Sequence, residues 1–258
     1  MKNHTIAILL ALPLLAAAQT APNADCLQLA ADIARYESGA DMAPIRAFEE
    51  LVRQSSKKPD LRKDLEAALI KILSAEATFE AKRFACQNLA FLGSEASLPA
   101  LAKLLEMDDT VGIACLALGS YPSGKANQVL RAALATSKGI SAAQIVNTLG
   151  DRRDAEAVGA LIQLARGPDP LVVEPAIIAL AKIGSAEARA AVVSLCNEAP
   201  ANLAATLNDA SLRTAAQLAA AGDRDAAVKA YEDHCKASQP PHIRRAAFAA
   251  LLRLDRDG

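Results

Sequence analysis

The chain has 258 residues, of which 52% are hydrophobic and 22% charged, a balance that is ordinary for a soluble globular protein. Its formal net charge of −1 argues against a nucleic-acid partner, which would require a basic surface. Aromatic residues make up only 3% and tryptophan is absent, so the core must consist of Ala, Leu, Ile and Val.

Residues 1–18 are predicted to be a signal peptide that is removed before folding. Lys2 gives a positive start, an apolar run extends from Ile6 to Ala18, and three consecutive alanines precede Gln19. A signal peptidase cleaves the chain after small residues of this kind. The apolar run is too short to span a membrane, and no later segment reaches about 18 apolar residues. The mature protein is therefore expected to begin near Gln19 and to be periplasmic or secreted.

Residues 19–60 are predicted to form N-terminal helices that resemble the later repeats only loosely, with Cys26 in a mobile segment. From residue 61 onward, one helix ending recurs at regular intervals. The residue that closes each helix is predicted to be Gly93, Pro122, Gly150, Gly184 and Gly222. The steps between them are 29, 28, 34 and 38 residues, the length of a unit of two helices.

Each two-helix unit contains residues that are predicted to close, cap and pack its helices. Glycine just past a helix end adopts the left-handed conformation that closes the last turn, and Asp154 and Asp225 are placed to cap the helix that follows. The second helices carry apolar residues at helical spacing, and these are Leu98, Leu101, Leu104, Leu105, Val158, Leu161, Ile162 and Leu164. The first helices share an alanine that permits close stacking, and it occurs at Ala85, Ala114, Ala176, Ala215 and Ala247.

Together with these units, the stretch from Asn147 to Leu164 resembles the HEAT-repeat family, in the short form also found in phycobilin-lyase-like proteins. The signature in this stretch is similar to that of exported bacterial HEAT proteins. The resemblance covers residues 61–258 well and residues 26–58 loosely. It implies an all-α fold, a right-handed α-solenoid of about five to six HEAT-type helical hairpins. Tetratricopeptide repeats are disfavoured because they require a strict period of about 34 residues and set aromatic positions.

The segment from Pro241 to Leu254 reads as the first helix of a sixth unit, so the last repeat is predicted to be incomplete. Its side chains Phe248, Leu251 and Leu252 are expected to be exposed. A terminal solenoid unit without a polar cap frays or associates, so we expect self-association through this end or early amide exchange there.

The five cysteines are not predicted to hold a metal or cofactor. Cys86 and Cys115 are expected to be small buried hydrophobic residues, whereas a disulfide between Cys196 and Cys235 remains open. His234, which precedes Cys235, and His242 match no four-ligand zinc pattern and are expected in a solvated loop between helices.

Catalysis is not predicted for this chain. After signal-peptide removal only His234 and His242 remain as histidines, and neither pairs with a nucleophile elbow, a zinc-binding helix or a phosphate loop. One candidate interaction surface is a polar stripe on the turns and second helices, formed by Arg131, Arg152, Arg153, Gln163 and Arg189. These side chains have two interpretations: ion pairs between stacked turns, or the rim of a ligand-binding surface.

Three functions follow from these observations. The leading hypothesis is a non-catalytic exported scaffold that binds a protein partner or tethers a neighbouring domain. The second is the repeat portion of an exported sugar-active enzyme whose catalytic domain is outside this chain. The third, a lyase-like handler of a bilin or cofactor, depends on fold analogy alone.

Overall fold

The computed structural model describes residues 24–74, 76–198 and 200–256, and the predicted signal peptide lies outside them. In the described residues the structure is helical and contains no strand. Its α-helices, α1 to α14 in chain order, are Ala24–Ile33, Ala43–Gln54, Pro59–Ser74, Phe79–Leu92, Leu98–Leu104, Val111–Gly119, Lys125–Leu134, Gly139–Asp151, Val158–Ala165, Pro170–Ile183, Ala186–Glu198, Ala204–Ala220, Arg224–His234 and Pro241–Arg256. Short 3₁₀ turns precede α3, α5, α9 and α12.

The helices form consecutive pairs. The first helices, α4, α6, α8, α10 and α12, stack on one another, and the second helices, α5, α7, α9, α11 and α13, form the other layer. Helix α14 packs on α12 and α13 as the first helix of a further unit, and α1 to α3 form the N-terminal unit. This arrangement confirms the predicted all-α solenoid.

The stacking depends on the shared alanine of the first helices. Each of the five alanines predicted at this position, from Ala85 to Ala247, has 0% of its surface exposed. Leu89, Leu118 and Leu180, four residues further along their helices, are also completely buried. Side chains four residues apart lie on the same helix face, so the alanine permits close approach while the leucine fills the space between the layers.

The prediction that Gly150 closes a helix is wrong. Helix α8 continues to Asp151, and the residue with left-handed backbone is Arg153, at φ 53°. The predicted glycines at 184 and 222 do adopt this conformation, at φ 65° and 83°. Gly93, by contrast, has φ −58° and is not left-handed. With Arg153 in this position, the step to Gly184 is 31 residues rather than 34.

Gly150 has a different role, which explains the error. It is buried inside α8, and a Cβ atom added there would lie 2.8 Å from both Cα and Cβ of Ala179 on α10. Glycine is therefore required at this position because two neighbouring first helices touch. A side chain as small as alanine would separate them.

One predicted helix cap is confirmed and the other is displaced by two residues. Asp154 Oδ1 accepts a hydrogen bond of 3.3 Å from the Glu156 amide, at the turn that leads into α9. At the start of α13 the capping residue is Asp223 rather than Asp225, and its Oδ1 accepts from the Ala226 amide at 3.3 Å. Both side chains satisfy an amide that the helix itself leaves unpaired.

Cys26 is not in a mobile segment, contrary to prediction. It lies in α1 and is completely buried, together with Ala30 and Ile33. Spacings of four and three residues place these side chains on one helix face. This apolar face packs against α3 and secures α1 to the array.

The buried core is divided within α12. One continuous hydrophobic cluster extends from Cys26 to Ala210, and a second, smaller cluster joins the end of α12 to α13 and α14 through Ala215, Tyr231 and Ala247. Leu251 packs against the second cluster, so the prediction that it is exposed is wrong. Phe248 and Leu252 are exposed as predicted.

Candidate interaction surface

Arg152, one of the five predicted surface residues, is occupied by hydrogen bonds to the preceding repeat. Its Nη1 donates to the carbonyl oxygens of Leu118 at 2.6 Å and Tyr121 at 3.0 Å, and its Nη2 donates to that of Ser123 at 3.1 Å. Its Nε donates to Asn127 Oδ1. A guanidinium at the C-terminal end of α6 satisfies carbonyl groups that the helix leaves unpaired, so Arg152 joins two repeats.

Arg131 is held in a similar way by the following repeat. Its Nη1 lies 2.5 Å from Asp154 Oδ2, and its Nη2 lies 2.8 Å from Glu156 Oε2. Asp154 is only 5% exposed, so this ion pair is partly buried and less screened than one in open solvent. The same carboxylate caps the start of the next second helix. Arg131 therefore supports the interpretation of these residues as links between turns.

Within the described residues, the other three predicted surface residues make no hydrogen bond to a neighbouring repeat that resembles those of Arg131 and Arg152. Arg189 donates from Nη1 to the Gly184 carbonyl at 2.6 Å, within its own repeat. Arg153 and Gln163 are exposed, at the turn before α9 and on α9 itself. Most of the polar stripe thus stabilises turns, and only these two side chains remain available at the surface.

A polar network that the sequence did not indicate continues this pattern toward the N-terminus. The buried Glu66 accepts hydrogen bonds from the Ser94 amide at 2.6 Å and the Ser97 hydroxyl at 2.7 Å. Tyr121, whose carbonyl oxygen accepts from Arg152, places its hydroxyl 2.5 Å from Ser97 Oγ. Burial raises the pKa of Tyr121. Hydrogen bonds therefore link the turns of three consecutive units.

Exposed aliphatic side chains lie instead on the outward face of the first helices. Ile140 and Leu171 occupy equivalent positions near the starts of α8 and α10, separated by 31 residues. Leu116 and Ile178 occupy another pair of equivalent positions, with Asn147 midway between them. The exposed fractions are 55% for Leu116, 66% for Ile140, 53% for Leu171 and 38% for Ile178.

These side chains form one surface. Ile140 and Asn147, like Leu171 and Ile178, are seven residues apart, and seven residues are close to two complete helical turns. We define the first-helix face by Leu116, Ile140, Asn147, Leu171 and Ile178. None of these positions was among the predicted surface residues, although their 31-residue repeat was a usable signal.

A groove of about 480 Å³ crosses the first-helix face between α6 and α8. Gly112 and Gly119 on α6 leave the space, and Gln144, Asn147 and Asp151 on α8 line the opposite side. The side-chain oxygen of Gln144 is buried and has no hydrogen-bond partner among the described residues. The groove therefore combines the aliphatic side chain of Leu116 with amide groups, which donate and accept hydrogen bonds.

The cysteines are free thiols in this structure. Cys86 and Cys115 are buried as predicted, and burial raises the pKa of the Cys86 thiol to about 12. Burial also raises the pKa of Cys196, while a hydrogen bond with Ser211 opposes the shift. Because the thiolate is the reactive form, these environments do not activate the thiols.

His234 is buried, contrary to the prediction of a solvated loop. Its Nε2 lies 2.8 Å from Ser211 Oγ on α12, and its Nδ1 has no partner among the described residues. Burial lowers the pKa of the imidazole, although the nearby Asp233 opposes this. The contact between His234 and Ser211 thus joins α13 to α12 beside a cleft of about 650 Å³.

Within residues 24–74, 76–198 and 200–256, no cluster of three or more potential ligands could hold a metal ion. In the same residues no helix has the length and apolar character needed to cross a membrane.

Residues 140–210, from α8 into α12, match the family described as HEAT repeats. This match confirms the HEAT-repeat resemblance predicted from the stretch that begins at Asn147. Repeats of this family are generally non-catalytic and form helical scaffolds for protein interaction. The comparison with curated proteins finds no match.

Proposed function

We propose that this HEAT-repeat protein is an exported, non-catalytic scaffold that binds a protein partner on its first-helix face. The observation that carries the proposal is the set of exposed aliphatic side chains repeated on α6, α8 and α10. Isolated exposed apolar residues are common on protein surfaces, but a patch that repeats across stacked units is typical of an interaction site.

The chemistry of the first-helix face favours a polypeptide partner. Leu116 and Ile178 provide apolar contact area, and the amides of Gln144 and Asn147 lie between them. The Asn147 side chain is exposed, so its amide oxygen can accept a hydrogen bond from a donor on a partner. A main-chain amide of a bound segment supplies such a donor.

Export is the second part of the proposal. It is supported by Lys2, the apolar run from Ile6 to Ala18 and the alanines before Gln19. In the periplasm or outside the cell, a scaffold of this kind meets other exported proteins, and the partner is expected among them.

Site-specific photo-crosslinking in the native host tests the binding surface. A photoreactive amino acid that replaces Ile178 or Leu116 is expected to crosslink to a discrete protein partner. The same photoreactive amino acid in place of Gln163 is expected to crosslink to no protein. Crosslinks from Gln163 alone would transfer the site to the predicted polar stripe. No protein crosslink from either surface would contradict the scaffold function.

A binding measurement with the captured partner follows. Ile178→Asp is expected to weaken binding at least tenfold, or about 1.4 kcal/mol. The matched control is Val193→Asp, which changes an exposed aliphatic residue on the second helix α11. Equal effects of the two substitutions would show that the first-helix face has no special role.

A further inference from the structure

The outer face of α14 is a second exposed apolar surface. It lies on the side of the helix opposite to the one that packs against α12 and α13. Ile243 and Ala247 are buried toward α12 and α13. Phe248 and Leu252 are 59% and 52% exposed, and no part of residues 24–74, 76–198 or 200–256 covers them. This surface lies far along the array from the first-helix face of α6, α8 and α10.

The outer face of α14 is concave and basic. Phe248 and Leu252 line a shallow groove of about 650 Å³ with Arg244 and Arg245, beside the turn between α13 and α14. Arg245, Phe248, Leu252 and Arg256 lie three, four and four residues apart, so they form one stripe with an arginine at each end. The Nε of Arg244 is buried and has no hydrogen-bond partner among the described residues. Such a groove suits an apolar side chain flanked by carboxylates.

The two ends of the described array differ in charge. Helix α14 carries four arginines and one aspartate, a net charge of +3 with His242 neutral. Helix α1 and the loop after it, residues 24–42, carry four acidic residues and one arginine, a net charge of −3. The whole chain has a net charge of only −1, so the charges are separated along it.

Stacking explains why these two surfaces match. In a solenoid each unit binds the next through one face and the previous unit through the other. Helix α14 packs mainly on α12 and α13, and α1 packs mainly on α2 and α3. Each helix thus leaves one stacking side open within the described residues, and these sides have opposite charge. Opposite potentials favour association and set its orientation.

We propose that the protein associates head to tail, with the outer face of α14 in one copy docked on α1 and its following loop in a second copy. The contact is heterologous because it joins two different surfaces. Heterologous contacts that do not close into a ring produce open chains. The assembly therefore grows with protein concentration and weakens with salt. It does not depend on the partner proposed for the first-helix face.

Sedimentation velocity of the full chain over a concentration series provides the first test. The mass is expected to rise with concentration and to fall at about 0.5 M salt, where charges are strongly screened. Phe248→Asp and, independently, Leu252→Asp are expected to give monomers with unchanged circular dichroism. Phe91→Asp is the control, because Phe91 is 74% exposed on α4 and lies at neither end. A wild-type monomer throughout the series would overturn the proposal.

Mixing two variants tests the head-to-tail geometry itself. Phe248→Asp removes the α14 surface, and the double substitution Asp32→Lys with Glu37→Lys removes the acidic surface. Each variant alone is expected to be monomeric. An equimolar mixture is expected to form heterodimers and nothing larger, since each pair has one intact α14 and one intact α1. A mixture that stays monomeric, or association that persists in either variant alone, would overturn the proposal. Crosslinking from Ile178 is unaffected by either result, so this proposal and the scaffold function fail separately.

Discussion

Replacing Gly150 by alanine is expected to destabilise the array although it adds a strong helix former. In an ordinary helix interior, Gly→Ala stabilises by about 0.5–1 kcal/mol. At Gly150 the added Cβ would lie 2.8 Å from Cα and Cβ of Ala179. Because one of these atoms belongs to the backbone of α10, no change of rotamer can relieve the contact. The two helices must separate, and overpacking of this kind costs about 1–3 kcal/mol.

A matched substitution isolates the steric cost. Gly159 lies in the exposed part of α9, and a Cβ added there meets no atom within 4 Å. Gly159→Ala therefore gains helix propensity without a clash. Both variants receive a similar propensity gain, so the difference between them reports the clash alone, about 1–3 kcal/mol. Gly150→Ala is expected to be the less stable variant by this amount.

Urea denaturation followed by circular dichroism measures the difference, with hydrogen exchange as a local readout. Long repeat arrays do not always unfold in one step, so exchange at the amides of α8 and α10 shows whether the loss is confined to their interface. Faster exchange there is expected in Gly150→Ala and not in Gly159→Ala. If Gly150→Ala proves as stable as Gly159→Ala, the close approach of α8 and α10 is wrong.

Four further predictions concern stability and processing. Leu180→Ala is expected to cost about 2–5 kcal/mol by urea denaturation, because the side chain is completely buried. Arg189→Ala removes one partly buried hydrogen bond and should cost about 0.5–1.5 kcal/mol. Equal costs of the two substitutions would contradict the assigned register. Arg152→Ala should lower the free energy of unfolding by about 2–3 kcal/mol, because it leaves several carbonyl oxygens without a donor. A loss within about 0.5 kcal/mol would refute the role of Arg152 in joining two repeats. Burial lowers the pKa of His234, so the unfolded state binds its proton more readily; the free energy of unfolding should fall as the pH drops below the ordinary value of 6.5, and His234→Gln should remove this dependence. N-terminal sequencing of protein from the native host should begin at Gln19, and an intact N-terminal methionine would contradict export.

The helical solenoid could be predicted from the sequence because the same few requirements recur in every unit. Ala85 and Leu89 occupy the same relation to each other as Ala176 and Leu180. One occurrence of such a pair would fit many folds, but several occurrences at the length of a helical hairpin identify a stacked array. Local sequence was sufficient here because the packing itself is local, between neighbouring units.

Helix ends were less predictable because one residue type serves two physical purposes. Gly184 closes a helix in the left-handed conformation, whereas Gly150 permits contact with Ala179. Both glycines lie near the end of a first helix, and only the position of α10 distinguishes their roles. Arg153 takes the left-handed position that glycine would favour. The preference of glycine for the left-handed conformation therefore places this helix end at Gly150, whereas the structure places the left-handed residue at Arg153.

The contacts of the predicted surface residues could not be derived from the sequence for a related reason. Sequence shows which side chains are charged, but it does not show which of them the next repeat has already bound. Arg131 and Arg152 appear as available cations in the sequence, yet both are hydrogen-bonded to a neighbouring unit. Conversely, the apolar side chains of Ile140 and Ile178 are exposed, which their residue type alone does not indicate. Both features depend on how the units stack, which no single repeat specifies.

The side chains that stabilise the turns differ from those exposed on the first-helix face in how their substitution affects the fold. The polar side chains of the turns, such as Arg152, are held by several hydrogen bonds, so their loss would weaken the array before it altered any surface. Leu116 and Ile178 contribute less to folding because much of each side chain remains in solvent. Substitutions of exposed residues usually change stability by no more than about 0.5 kcal/mol. Binding at the proposed site on the first-helix face is therefore expected to change without loss of the fold, whereas substitutions in the polar stripe would also weaken the fold. A surface that tolerates substitution in this way is the one on which partner specificity can vary.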